Sequence, residues 1–218
     1  MPKSRIAMRR AQAKGEGSER YQARRDALIA AAAKVFAANG YRAASLDEIA
    51  SLAEIDRASL YYYVENKKEL FYEVVKDYVQ QNTDMAEAVL ASDKSARGKL
   101  EELIGQLLLS YERHYPSLFV FMQEDLAKMS EARSGVGKKL HQTMLRFNEI
   151  TVEIIESGME SGEFRSDIPA NVAAFSVIGM VNWTHRWFKP GGGLTADELG
   201  RAFAGIACDG LVSSQQKR

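Results

Sequence analysis

The chain has 218 residues, of which 46% are hydrophobic and 27% are charged, values typical of a globular protein with one large domain or two unequal ones. Its single cysteine, Cys208, excludes an internal disulfide framework and a multi-cysteine zinc site, and favours a reducing compartment. The basic N-terminus lacks the apolar core of a secretory signal, and no apolar stretch is long enough to cross a membrane. We therefore expect a cytoplasmic protein without a membrane partner.

Charge is distributed unevenly along the chain although the net charge is zero. Residues 1–68 carry 13 Lys and Arg against 8 Asp and Glu, whereas the remainder carries 16 against 21. A basic N-terminal part on an acidic body favours a polyanionic partner for the first part alone. Chance variation in surface charge explains the same numbers, so the motifs have to decide between the two interpretations.

The first two elements are a basic arm and an alanine-rich helix. The arm, residues 1–19, either reaches a DNA groove or backbone or forms a disordered solubilising tail, and its basic residues fit both: Lys3, Arg5, Arg9, Arg10 and Lys14. The helix that follows places Leu28, Ala32, Val35 and Phe36 on one face and ends at Asn39-Gly40, a typical C-terminal cap.

Two short helices come next. Ser45 and Glu48 form a capping box for the first, and Asp56 is suited to cap the second. In the second helix, Leu60 and Val64 lie four residues apart on one face. The segment lacks the polar–apolar alternation of a strand, so we predict a helix from which three consecutive rings point in different directions: Tyr61, Tyr62 and Tyr63.

The rest of the chain is predicted to be helical. Asn66 caps a helix that begins at Lys67, and Thr195 and Glu198 form a second capping box. No strand pattern or internal repeat is present, so the expected fold class is all-α with about nine helices. After the helix at Lys67, the predicted helices lie at 95–115, 117–130, 135–162, 169–188 and 195–213.

The helices around residues 46–53 and 57–63 are arranged as a helix-turn-helix, whose second helix enters the DNA major groove with its N-terminal residues toward the base edges. Arginine there suits guanine, alanine suits a thymine methyl group, and serine reads either base. Tyrosine hydroxyls and a lysine at the next helix N-terminus suit phosphates. The expected DNA-binding residues are Ser45, Arg57, Ala58, Ser59, Tyr61, Tyr62, Tyr63 and Lys67.

The segment SLDEIASLAEIDRASLYYYVENKKEL, residues 45–70, resembles the signature of TetR-family transcriptional regulators. The matching positions are Ser45, Ile49, Ala50, Ala53, Ile55, Ser59, Leu60, Tyr61, Lys67 and Leu70. Two positions depart from the pattern, because Glu54 replaces the usual turn glycine and Val64 replaces a common phenylalanine. The resemblance implies a DNA-binding domain at 20–66 and a ligand-binding and dimerisation domain at 67–218.

Members of this family pair their last two helices with those of a second subunit, which here implies a homodimer through 169–188 and 195–213 on a palindromic DNA operator. Both segments are rich in small residues that permit close helix approach, either between subunits or within one: Ala173, Ala174, Gly179, Ala202, Ala204, Gly205 and Ala207.

The segment from Val181 to Leu211 resembles the C-terminal end of TetR regulators that respond to acyl-CoA thioesters of lipid or sterol catabolism. That resemblance implies a repressor released by a small amphiphilic inducer, with a drug- or aromatic-sensing regulator of efflux or degradation genes as the alternative. The expected ligand-binding residues are Phe119, Met122, Met144, Phe147, Asn182, Trp183, Arg186, Trp187 and Lys189. Core packing explains the same aromatic residues, and complementation of a helix C-terminus explains Arg186 and Lys189.

An enzyme is the competing class. The three histidines, His114, His141 and His185, lie far apart without metal-binding spacing, and the glycines at 191–193 follow no strand. Glu124 and Asp125 are adjacent on a helix and do not face each other. We therefore expect no catalytic residues, no metal and no cofactor.

Overall fold

The computed structural model describes residues 19–115, residue 122 and residues 135–211. Within these ranges the chain forms eight α-helices and no strand, which confirms the predicted fold class. The helices are α1 (Glu19–Ala43), α2 (Leu46–Leu52), α3 (Arg57–Tyr63), α4 (Lys67–Ala91), α5 (Ala96–Arg113), α6 (Gly135–Glu160), α7 (Ala170–Asn182) and α8 (Ala196–Leu211). The arm before Glu19 and the predicted helix at 117–130, apart from Met122, lie outside the described residues, so the total of about nine helices stays a prediction.

Side-chain caps set the starts of the N-terminal helices. Ser45 Oγ accepts from the backbone N–H of Glu48 at 3.1 Å, and the Glu48 carboxylate accepts from the backbone N–H of Ser45 at 2.9 Å. Asp56 and Asn66 accept in the same way from the first turns of α3 and α4. α1 bends at Gly40, whose φ of 75° glycine adopts without steric strain. The predicted caps are confirmed, and the predicted helix stop at Asn39-Gly40 coincides with this bend, beyond which helical structure continues to Ala43.

One hydrophobic core runs from the N-terminal unit into the body. α1 packs directly on α4, so the helix-turn-helix unit is seated on the body instead of being joined to it by a linker. Each fully buried aliphatic side chain in such a core contributes about 1.5–3 kcal/mol. The side chains with no exposed surface include Leu28, Ile49, Leu60, Leu70, Leu100, Ile104, Ile150 and Ile154.

The body is built on two close helix pairs. α4 and α6 run in the same direction, because contacts advance together from Gln80 with Thr143 to Glu87 with Arg146. α5 and α8 run in opposite directions and approach closely, since a Cβ on Gly200 would lie 3.1 Å from the Cα of Gly105. α7 packs against α6. None of the described helices is long and apolar enough to cross a membrane.

The predicted helix at 169–188 is wrong at its C-terminal end. α7 ends at Asn182, and Trp183–Arg186 forms a 3-10 turn. The buried Thr184 hydroxyl donates to the carbonyl of Val181 at 2.7 Å, a local bond that competes with continued α-helix. A 3-10 turn advances about 120° per residue, so Trp183 and Trp187 do not share the face that four-residue spacing in an α-helix predicts.

Candidate DNA-binding surface and ligand cavity

Arg57 opens α3 and reaches back to α2. Its Nη1 donates to both carboxylate oxygens of Asp47, at 3.1 and 2.8 Å. A hydrogen bond that Arg57 donates to the Tyr61 hydroxyl and the charge of Asp47 raise the pKa of Arg57. The two ion-pair partners are 59% and 61% exposed, and such pairs contribute only about 0–1 kcal/mol. A DNA base can therefore compete with Asp47 for the guanidinium.

The other polar and small residues predicted to bind DNA are either exposed or already hydrogen-bonded within the protein. Ala58 is exposed beside Arg57. Ser59 Oγ donates to Asp56 at 2.6 Å, and Ser45 is committed to its capping box. The structure thus presents Arg57 and Ala58 outward, whereas the two serine hydroxyls already stabilise helix starts.

Tyr62 and Tyr63 form a cluster with Tyr21 near the start of α1. The Tyr21 ring centroid lies 5.7 Å from that of Tyr62 and 5.1 Å from that of Tyr63. Tyr62 and Tyr63 also meet edge to face at 5.3 Å. All three rings stay partly exposed, and Tyr61 packs against the core at a partly buried position. The aromatic patch beside α3 is therefore held by α1, a role for Tyr21 that the sequence did not reveal.

The Lys67 side chain lies where the end of α1 meets the start of α2. Its Nζ donates to the carbonyls of Arg42 and Ala44 at 3.1 and 2.8 Å, and it lies 4.8 Å from the centroid of Tyr41. These carbonyls follow the bend in α1, where a cation complements unpaired acceptors. Lys67 thus fastens the start of α4 to the helix-turn-helix unit, and its contact with a phosphate stays a prediction.

A buried ion pair makes a second link between α1 and α4. The guanidinium of Arg25 pairs with the carboxylate of Glu73, at residues that are 9% and 4% exposed. Lys76 approaches the other oxygen of Glu73 at 2.8 Å. Burial by itself raises the pKa of Glu73, but Lys76 and Arg25 outweigh it and hold the pKa below its ordinary value. Sequence reasoning missed this triad.

A partly open cavity of about 120 Å³ lies in the body between α4, α5, α6 and α7. Its surface is mainly apolar, and three asparagines interrupt it. No charged side chain is among its lining residues in the described part of the chain. Those residues are Val79, Asn82, Thr83, Leu107, Met122, Met144, Phe147, Asn148, Ile178, Val181 and Asn182.

The structure separates the predicted ligand-binding residues into two groups. Met122, Met144, Phe147 and Asn182 line the cavity, and Phe119 lies outside the described residues. The remaining four lie outside the cavity lining, on or beyond the 3-10 turn: Trp183, Arg186, Trp187 and Lys189. Both tryptophans are more than half exposed, and the Arg186 guanidinium stacks 4.9 Å from the Trp183 centroid.

Polar groups at the cavity are partly engaged. Asn82 Oδ1 accepts from Ser110 Oγ at 2.6 Å, and Thr83 Oγ1 donates to the carbonyls of Val79 and Thr143 at 3.1 and 3.3 Å. Asn82, Thr83 and Asn148 were not predicted, because isolated polar residues on an amphipathic helix resemble a solvent face. The interruption of the α4 apolar face by an adjacent Asn-Thr pair was the available signal.

A metal site in the described ranges would require His, Cys, Asp or Glu side chains that lie close enough to bind one ion together. No group of three His, Cys, Asp or Glu side chains there is placed to hold a metal ion. Burial raises the pKa of the Cys208 thiol to about 11, so this cysteine is neutral and unreactive near pH 7.

A helix-turn-helix unit seated on a helical body that contains a cavity defines a ligand-responsive transcriptional regulator. The chain belongs to the TetR family. The family model described as "Tetracyclin repressor-like, C-terminal domain" matches residues 93–211, and that described as "Bacterial regulatory proteins, tetR family" matches residues 28–74.

Three similar proteins illustrate this membership. The HTH-type transcriptional repressor KstR2 of Rhodococcus jostii (strain RHA1) is 28% identical over 191 residues, which cover 87% of this chain and 92% of that protein. The structure of the ketosteroid transcriptional regulator KstR2 of Mycobacterium tuberculosis has a TM-score of 0.75 at 24% identity, covering 88% of this chain and 96% of its own. AibR, solved in complex with isovaleryl coenzyme A and operator DNA, has a TM-score of 0.71 at 21% identity. The match covers 84% of this chain and 97% of the AibR chain.

Proposed function

We propose that the protein is a cytoplasmic homodimeric repressor that leaves a palindromic operator when its body binds an acyl-CoA thioester of lipid or sterol catabolism. The observation that carries this proposal is the apolar cavity lined by α4, the helix on which the helix-turn-helix unit is seated. The resemblance to KstR2, a transcriptional repressor, supports the regulatory role. AibR, which shares the fold, is a regulator whose structure contains isovaleryl coenzyme A.

The size of the cavity favours a compact acyl group. A dry cavity of about 150 Å³ can hold a benzene molecule, so a space of about 120 Å³ suits a short branched or cyclic group. The mainly apolar surface suits hydrocarbon, and the asparagine amides suit a carbonyl or hydroxyl oxygen. The thioester end, with its polar pantetheine and phosphates, then extends out of the cavity.

The dimer is proposed to form through α7 and α8. α7 and the 3-10 turn after it expose apolar side chains, of which Val172, Phe175 and Trp183 are each more than half exposed, and Ile206 of α8 is 65% exposed. Such an exposed apolar surface is typical of an interface. Gly179 of α7 has open space where a Cβ would stand, whereas Ala173 and Ala174 are buried within the subunit. This distribution supports both uses that the sequence left open for the small residues, packing within one subunit and close approach between two.

The proposed domain boundary lies at the start of α4. The arm then comprises residues 1–19, the DNA-binding unit residues 20–66 and the body residues 67–218. Ligand releases DNA only if it prefers a body conformation in which the two recognition helices of the dimer no longer fit successive major grooves. α4 is the direct route for that change, because it contacts the cavity through Val79 and α1 through Glu73.

Ligand screening with a blocked-cavity variant tests the proposal. Acyl-CoA thioesters are expected to raise the melting temperature of the wild type and to release operator DNA. Met144→Trp fills the cavity and is expected to abolish both effects, whereas Gln142→Trp, on the exposed face of the same helix, keeps them. Stabilisation and release by cationic aromatic drugs alone would replace the thioester proposal with the drug-sensing alternative.

A further inference from the structure

Two surface grooves flank the ligand cavity, one on each side of α6. The first, here called the α4–α6 groove, has a volume of about 460 Å³ and is lined by Lys76, Asp77, Gln80, Val136, Lys139, Leu140 and Thr143. The second, the α6–α7 groove, has a volume of about 410 Å³ and is lined by Leu145, Asn148, Glu149, Val152, Glu153, Glu156 and Phe175. Either groove offers room for the part of an inducer that the cavity does not hold.

A hydrogen bond between α4 and α6 joins the lining of the cavity to the lining of the α4–α6 groove. Thr83 lines the cavity, and its hydroxyl bonds to the carbonyl of Thr143, which lines the groove, at 3.3 Å. The Thr143 hydroxyl in turn meets Gln80 Oε1 at 3.5 Å. Both contacts are at the long end of hydrogen-bond range, and they place the groove next to the cavity.

Electrostatics distinguish the two grooves. The α6–α7 groove, which shares Asn148 with the cavity, carries three glutamates. Its neighbouring cation, Arg146, is held by Glu87 at 2.7 Å and by Glu153 at 2.6 Å. The α4–α6 groove instead carries two lysines and one exposed aspartate, Asp77. A polyanion is repelled by the first surface and attracted by the second.

We propose that the α4–α6 groove binds the phosphates of the inducer, with Lys76 and Lys139 as their cationic partners. This inference rests on the proposed function, because it assumes an acyl group in the adjoining cavity. It differs from the expectation that Arg186 and Lys189 hold the head group, since those residues lie on the far side of Asn182, outside the cavity lining.

The same site supplies a mechanism for DNA release. The Lys76 side chain is 40% exposed and lines the groove, and its Nζ lies 2.8 Å from the Glu73 carboxylate. A phosphate that attracts Lys76 withdraws one of the two cations that balance the buried carboxylate, and the Arg25–Glu73 link between α1 and α4 then has to readjust. Phosphate binding in the groove is thereby coupled to the seating of the helix-turn-helix unit.

Paired ligands and paired variants test this proposal on the full chain. The ligands are isovaleryl-CoA and isovaleryl-pantetheine, which share the acyl group and differ in the phosphates. Lys139→Gln is expected to weaken isovaleryl-CoA binding about tenfold, the equivalent of one charge-assisted hydrogen bond, and to leave isovaleryl-pantetheine binding unchanged. Lys138→Gln, a neighbouring exposed lysine outside the groove, is the matched control and is expected to change neither.

The possible outcomes separate this proposal from the proposed function. If wild type binds isovaleryl-CoA and Lys139→Gln binds both ligands as wild type does, the groove assignment is overturned while the thioester inducer stands. Selective loss of isovaleryl-CoA binding in the double variant Arg186→Gln/Lys189→Gln, with Lys139→Gln unaffected, also overturns it and moves the phosphates to the 3-10 turn. If wild type binds no acyl-CoA of any chain length, the proposed function itself fails.

Discussion

Arg25 of α1 and Glu73 of α4 form a buried ion pair that joins the helix-turn-helix unit to the body. Nearly two turns beyond Glu73, the same helix begins to line the ligand cavity through Val79. A single rigid element therefore touches the ligand site and the DNA-binding unit. A small displacement of α4 by ligand reaches α1 without an intermediate segment.

Removing one partner of this pair is expected to destabilise the protein strongly. Glu73→Gln leaves Arg25 charged and buried, a change that costs about 3–5 kcal/mol in comparable pairs. Asp77→Asn, an exposed acid on the same helix, is expected to stay within about 0.5 kcal/mol of the wild type. Urea unfolding measures both, and a Glu73→Gln midpoint equal to that of the wild type would show that the pair contributes nothing.

The pair also predicts how stability depends on pH. The pKa of Glu73 in the folded protein lies below its ordinary value of 4.5, so its stabilising contribution is complete above that value and is lost as the pH falls through the folded-state pKa. The stability difference between wild type and Glu73→Gln should therefore be constant at neutral pH and shrink below pH 4.5. Unfolding measurements at a series of pH values check this, and a difference that grows in acid would reverse the sign of the argument.

The turn between α2 and α3 explains why Glu54 can replace the glycine that is usual there. Glu54 adopts φ 54° and is the one non-glycine residue in the described ranges with a positive φ, so the turn keeps the geometry for which glycine is suited. Glutamate in place of glycine therefore leaves the backbone conformation of the turn unchanged but adds conformational strain to it.

Substitutions at Glu54 should follow this backbone strain. A left-handed conformation costs an L-residue about 1–2 kcal/mol, and β-branched residues tolerate it least. Glu54→Val is expected to lower the free energy of unfolding by about 1–2 kcal/mol, whereas Glu54→Gly keeps or raises it. Thermal unfolding distinguishes the two, and equal stability of the Val and Gly variants would contradict the strain.

Local signals in the sequence were sufficient for the helix-turn-helix unit. Its caps depend on side chains within three residues of one another, such as Ser45 with Glu48, and short-range geometry is what a sequence pattern encodes. Four residues of the cavity lining were also among the predicted ligand-binding residues: Met122, Met144, Phe147 and Asn182.

Long-range pairing of charges and the end of α7 were not predictable in the same way. Arg25 and Glu73 are 48 positions apart, and each looks like a surface residue until the two helices are placed together. The 3-10 turn after Asn182 depends on the Thr184 hydroxyl bond within an otherwise helical pattern. Trp183 and Trp187 lie at this turn and are exposed, whereas their hydrophobicity alone would predict that they are buried.

Arg57 is expected to set base preference. Arg57→Ala should cost about 1–3 kcal/mol of discrimination at one position in each half-site. Asp47→Asn, which frees the guanidinium from its ion pair, is expected to keep or strengthen specific binding. Titration against an operator library with single-base changes measures both effects. Unchanged base preference in Arg57→Ala would remove this residue from the groove.

The coupling between inducer and operator is the central claim, and reciprocal binding measures it most directly. Isothermal titration of an acyl-CoA thioester into free protein and into the protein–operator complex yields two dissociation constants, and operator titration with and without the thioester yields two more. We expect the thioester to bind more weakly to the complex, by the same factor by which it weakens operator binding, typically about 5–150-fold. Equal thioester affinity with and without operator would contradict the account, because a ligand that does not distinguish the two states cannot release DNA.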